Sequence, residues 1–144
     1  MNQTNELLNQ LQADATVFYQ KVRAFHWTVT GERFFQLHAH FEQTYTRWAE
    51  HIDAIAERVV MNGGTPLLSL AAIISRAKVK DTKGGVDDRA MVEAVAADLT
   101  GLIDVVSQGA KAAEADGCRA TVNLLDSIRE QEEKALWMLK ATLQ

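Results

Sequence analysis

With 144 residues, 47% of them hydrophobic and 24% charged, the chain has the length of a single domain and enough apolar residues to bury a core. Fifteen Lys and Arg stand against nineteen Asp and Glu, with no block of one sign, and this net charge of −4 argues against the tight DNA binding that depends on cationic side chains. No apolar run is long enough to cross a bilayer, residues 1–20 lack the basic-then-apolar order of a secretion signal, and the lone Cys118 has no internal disulfide partner, so a cytoplasmic protein is expected.

The single proline, Pro66, and glycines placed mostly at boundaries point to long helices. The first is predicted over residues 5–28, where Leu7, Leu8, Leu11, Ala15, Phe18, Tyr19, Val22 and Phe25 recur at helical spacing, and Gly31 breaks it. A second runs over residues 33–62 and is stopped by Gly63-Gly64 and Pro66. Residues 68–75 form a short apolar helix inside the connection, and residues 76–86, with Gly84-Gly85, read as loop. Asp87 or Asp88 then caps a third long helix that lasts to Ala115, where Asp116-Gly117 ends it, and the last covers residues 119–143. Four long helices with one long, partly helical connection in the middle describe an all-α four-helix bundle with a crossover; ferritin-like connectivity is one member of that class.

The second helix carries the chemistry. At about 100° per residue, Phe34, Leu37, Phe41, Trp48, Ile52, Ile55 and Val59 fall in one stripe, the core side. His38, Glu42, Asp53 and Glu57 form another, roughly a quarter turn away, with the small Thr46 and Ala49 between them. His38 and Glu42 are four apart, as are Asp53 and Glu57, so each pair can converge on one ion. The two pairs cannot share an ion within one helix, because His38 and Asp53 are separated by about 22 Å of helix axis, against metal–ligand bonds of about 2 Å. Two copies crossing antiparallel near Arg47-Trp48 would bring His38 and Glu42 of one chain opposite Asp53 and Glu57 of the other, in two identical sites. Taken singly, such carboxylate pairs are also what a solvated helix face looks like, and His26 or His38 alone is compatible with a core or surface histidine. The carboxylate stripe borders the core stripe, however, which predicts partial burial, where unpaired carboxylates are costly without a cation.

The runs Phe25-His26-Trp27-Thr28-Val29-Thr30-Gly31, Phe34-Phe35-Gln36-Leu37-His38, Phe41-Glu42, Tyr45 and His51-Ile52-Asp53-Ala54-Ile55-Ala56-Glu57-Arg58 resemble the Dps mini-ferritins, the starvation-induced DNA-protecting proteins of bacteria and archaea. The spacing of twelve from His26 to His38, the carboxylate four further on and the DxxAER pattern all match, and Glu133-Lys134-Ala135-Leu136-Trp137-Met138-Leu139-Lys140-Ala141 is similar to the family's closing helix. The resemblance covers nearly the whole chain and implies a single ferritin-like domain over residues 1–144.

What the resemblance implies is a hollow dodecamer built from dimers. Its iron sites, with room for two ions each, lie at two-fold interfaces, with His26, His38 and Glu42 from one subunit and Asp53 and Glu57 from its neighbour. Fe(II) would be oxidised there by hydrogen peroxide in preference to dioxygen, stored as Fe(III) mineral, and the cell thereby protected from oxidative damage. Many relatives carry aspartate where Glu42 stands. Trp27 resembles the family's site-adjacent tryptophan, a candidate radical relay, with packing at the dimer interface as the alternative. Entry pores in the family lie near the start of the last helix; here Asn123 stands where relatives commonly have aspartate, and Asp126 and Glu130, on one helix face, are substitute candidates for a pore or plain solvated surface. A DNA-condensing shell, with iron oxidation secondary, is the competing function. The absence of a basic terminal tail makes DNA an unfavoured partner.

Overall fold

The structure, a computed structural model, describes residues 1–144 as five helices and no strand: α1 (Asn2–Thr28), α2 (Phe34–Met61), α3 (Leu70–Arg76), α4 (Asp88–Ala115) and α5 (Arg119–Ala141). α1 packs along α2, α4 along α5, and α1 against α4, so two helical hairpins close into a four-helix bundle joined by a long crossover that carries α3. α3 rests on α1. No helix is long and apolar enough to cross a membrane.

The boundaries follow the expected chemistry, with shifts of a few residues. α1 begins at Asn2 and not at residue 5, because Thr4 is buried and its hydroxyl donates to Asp116 Oδ2 at 2.6 Å, pinning the first turn to the end of α4. α3 starts at Leu70 under a Ser69 cap, whose hydroxyl accepts from the Ala72 amide at 3.1 Å. Residues 66–68 are drawn out of the helix instead, since Gln12 both donates to the Leu67 carbonyl and accepts from its amide, each at 2.9 Å. Of the two cap candidates for α4 it is Asp87 that accepts from the Ala90 amide (2.8 Å), whereas Asp88 pairs with Arg33. Gly117, at φ 70°, ends α4 with the Cys118 amide returning to the Ala113 carbonyl, a left-handed closure for which glycine is suited.

The core is built from one face of each long helix: Leu8, Leu11, Phe18 and Phe25 of α1, Phe41, Trp48 and Ile55 of α2, Leu99 and Leu102 of α4, and Leu125, Ile128 and Leu139 of α5. Phe34 and Ile52, expected on the core stripe of α2, pack against this cluster only in part. Trp48 meets Phe18 edge-on at 5.7 Å between centroids, and truncating either ring would cost about 3–5 kcal/mol. Gly109 lets α4 approach α5: a Cβ there would lie 3.0 Å from Leu125 Cδ1.

The crossover is held by polar residues buried on α1. Asp14 Oδ1 accepts from the amides of Lys78 (2.6 Å) and Val79 (3.1 Å), and Asn9 donates to the Thr65 carbonyl at 3.1 Å. Backbone groups lying against a bundle need such partners, which explains polar side chains inside α1's buried surface.

Candidate metal centre

His26 closes α1 and His38 opens α2, and the tight reversal between them, with Gly31 at φ 104°, brings the two imidazoles into a stack 3.8 Å between centroids and 12° from parallel. Each ring is fixed by the other's backbone. His26 Nδ1 lies 2.7 Å from the His38 carbonyl oxygen, and His38 Nδ1 lies 2.7 Å from the His26 carbonyl oxygen. A carbonyl only accepts, so both Nδ1 atoms donate, and in the neutral rings both Nε2 atoms carry a lone pair. Phe34 stacks on His38 as well, at 4.9 Å. The pair is therefore held in the tautomer a metal ion requires before any ion arrives.

Asp53 and Glu57 stand one turn apart on α2, and the neighbouring Asp53 carboxyl, through hydrogen bonding and then charge, with slight desolvation, pushes the Glu57 carboxyl above its ordinary range. Two carboxylates that crowd each other in this way form a half-site that a cation would relieve. Glu42 stands one turn beyond His38. The partial burial expected from the helical projection is absent within the protomer, where Glu42, Asp53 and Glu57 are all exposed. The quarter-turn offset from the core stripe carries them past the bundle's own interior, and no element of the same chain covers them.

Within one chain no group of three or more His, Cys, Asp or Glu side chains is close enough to hold a metal ion. The fold unites His26 with His38 and Asp53 with Glu57, and leaves the two sets apart along α2. A groove of about 490 Å³ runs along Glu42, Tyr45, Thr46, Arg47 and Glu50, and a second of about 350 Å³ is lined by Glu50, Asp53, Ala54, Glu57 and Arg58 of α2 with Ala120 and Leu124 of α5.

The family description for ferritins, a ferritin-like domain, matches residues 5–144. A DNA protection during starvation protein of Brevibacillus brevis is 40% identical over 138 residues, 96% of this chain and 93% of that protein. This chain belongs to the Dps family. The crystal structure of a Dps protein from Bacillus brevis superposes with a TM-score of 0.96 at 38% identity, covering 99% of this chain and 96% of that one. A Dps structure from Vibrio cholerae, described as a member of a broad superfamily of ferritin-like diiron-carboxylate proteins, does so at 0.96 and 30% identity over 99% and 90% of the two chains.

Beside the Dps motif lies a buried ionic network that the sequence reading missed. Glu132 of α5, with no exposed surface, accepts from Arg47 Nε (2.6 Å) and Nη2 (2.9 Å), from Trp48 Nε1 (2.9 Å) and from His51 Nε2 (2.9 Å). Burial is the largest influence on this carboxyl and raises it, but the bonds and charges of Arg47 and His51 together outweigh it and hold the group below its ordinary range. The signal was available: Leu125, Ile128, Glu132, Ala135 and Leu139 make the buried stripe of α5, and a glutamate there demands partners. The network spans α2 and α5 at Arg47-Trp48, midway between the two half-sites.

Of the remaining Dps-derived candidates, Trp27 is 58% exposed with the Arg23 guanidinium 5.0 Å from its ring centre. Asn123, Asp126 and Glu130 are exposed on α5, and no hydrogen bond or ion pair within the chain draws them together.

Proposed function

We propose that this protein is an iron-oxidising and iron-storing mini-ferritin whose working unit is a dimer. In this reading His26, His38 and Glu42 of one subunit and Asp53 and Glu57 of its neighbour bind Fe(II), two ions side by side. Hydrogen peroxide is the oxidant, and the Fe(III) product is kept inside a hollow dodecamer. The observation that carries the proposal is the histidine pair, locked with both Nε2 lone pairs available, whose His38 shares a face of α2 with a crowded carboxylate pair too far away to join it in one chain. Imidazole nitrogen and carboxylate oxygen suit Fe(II), which is the substrate here. Two ions held together supply both electrons that peroxide needs to become water, so no hydroxyl radical is released. Stopped-flow mixing of Fe(II)-loaded protein with peroxide should give oxidation much faster than with dioxygen. The combined His26→Ala and His38→Ala variant should assemble normally yet lose most of that rate; unchanged kinetics would remove the histidines from the mechanism.

A second reading, a shell that binds DNA, is favoured by the name of the Brevibacillus relative and by Lys78, Lys80 and Lys83, exposed on the connection after α3. Against it stands the net charge of −4. Plasmid mobility in a gel-shift assay at low salt should be unaltered by the assembled protein, and strong retardation would reverse the preference.

A further inference from the structure

Two large apolar side chains stand uncovered on the face of α2 that carries both half-sites. Phe35 is 82% exposed and Val60 57% exposed, although both lie inside the helix. On the helical projection both fall within about 20° of Glu42, on the stripe of His38, Asp53 and Glu57 and off the neighbouring core stripe. Phe35 stands one turn before His38, and Val60 one turn after Glu57. The Phe35 ring is also held in place: it meets Phe34 edge-on at 5.5 Å between centroids, and Phe34 in turn stacks on His38 at 4.9 Å. Apolar groups fixed in this way beside polar ligands mark a surface that a partner covers.

We propose that Phe35 of one subunit and the partner's Val60 pack together as an apolar plug over the outer end of each iron site, shutting water and bulky solutes out of it. The proposal rests on the two-chain iron site proposed above, whose register was set by the ligands alone. In that register Glu42 faces the partner's Asp53 and His38 faces the partner's Glu57, each pair equidistant from the crossing at Arg47-Trp48. Phe35 and Val60 are equidistant from the same crossing, so the two-fold axis sets each Phe35 against the partner's Val60. No apolar residue entered the choice of register, and the match is therefore independent of the ligands. Between the two ligand pairs Ala39 falls opposite the partner's Ala56, small side chains that leave room for ions. Beyond the ligands, where two crossing helices diverge, Phe35 and the partner's Val60 have the bulk to fill the gap.

Closing that end alters both the chemistry and the traffic. A rim that excludes water strengthens every charge interaction behind it, here those between the ions and their carboxylates. It also keeps an open coordination position for the oxidant, which a solvent molecule would otherwise fill. The side that stays open is the one lined by the two grooves: both include Glu50, and neither includes Phe35 or Val60. Iron and peroxide then exchange along carboxylates and not past the plug. Phe35 is a positioning residue in this scheme. It touches no ion, and it acts through Phe34 on the His38 ring and through exclusion of solvent.

The test loads the assembled protein with Co(II) in place of Fe(II), because the visible bands of Co(II) are several-fold stronger with four or five ligands than with six. Wild type should give strong bands. Phe35→Ala should give the weak bands of a site that has taken up water, and should lose Co(II) several-fold faster to a bulky chelator such as bathophenanthroline disulfonate. Phe35→Leu, which keeps apolar bulk, should behave as wild type. Exchanging the pair within one chain, Phe35→Val with Val60→Phe, should restore both readouts, as only side chains that face each other across the two-fold axis can; this variant also serves where Phe35→Ala fails to assemble. If Phe35 only held the dimer together, its removal would lower the denaturation midpoint and leave the bands unchanged. That result, weak bands in the wild type, or an exchanged pair that stays open would overturn the plug and leave the iron site intact. Co(II) binding unaffected by the combined His26→Ala and His38→Ala variant would remove the two-chain site and the plug with it.

Discussion

Glu132 is a carboxylate with four hydrogen bonds and no exposed surface, and its position makes it a rivet between two helices. Removing one partner of a buried ion pair strands the other, so Glu132→Gln should destabilise the assembled protein by about 3 kcal/mol, read by chemical denaturation at fixed protein concentration. The pH dependence has a definite sign. The folded carboxyl titrates below its ordinary range, so the stability drawn from its ionisation is complete above that range and is lost as pH falls through the depressed value. The gap between wild type and Glu132→Gln should therefore stay constant at neutral pH and narrow only in acid; a gap that narrows at alkaline pH would refute the assignment. The same residue shows why single positions were hard to read. His51 was part of a recognised motif and Glu132 lay on an apolar stripe, but 81 positions separate them, and nothing local says that they meet.

At the scale of the element, most of the fold was legible. Helix ends are local events, governed by glycine, proline and capping side chains, and α2, α4 and the short α3 fall close to where those residues place them. The discrepancies have non-local causes: Thr4 holds the first turn of α1 through Asp116, and Gln12 keeps Leu67 extended ahead of α3. Helical projection placed His38, Glu42, Asp53 and Glu57 on one face correctly but misjudged the burial of the three carboxylates, because an angle on a wheel does not say whether another helix stands there. Such exposure on a face flanked by two grooves is what an unpartnered interface looks like.

At the scale of the whole molecule, the separation of the half-sites makes a test in trans. One chain carrying His26→Ala and His38→Ala and another carrying Asp53→Asn and Glu57→Gln should each be nearly inactive. Reassembled together at equal amounts, half the dimers are mixed, and each mixed dimer regains one of its two sites. Peroxide-driven Fe(II) oxidation should then return to about a quarter of the wild-type rate. No recovery, with mixed shells verified by mass, would place the site within a single chain or elsewhere.

Residue type and spacing alone determined the helical class, the order and approximate ends of the helices, and the common helix face of His38, Glu42, Asp53 and Glu57 from which a second chain is expected, since all of these follow from periodicity and from the fixed rise of an α-helix. Only the tertiary structure decided which nitrogen of each histidine is left free, that Glu132 closes a network with Arg47, Trp48 and His51, and that Tyr45 stands between His26 and Tyr19. Those facts depend on contacts between residues distant in the chain, set by how α1, α2 and α5 pack, and short-range sequence pattern carries no record of them.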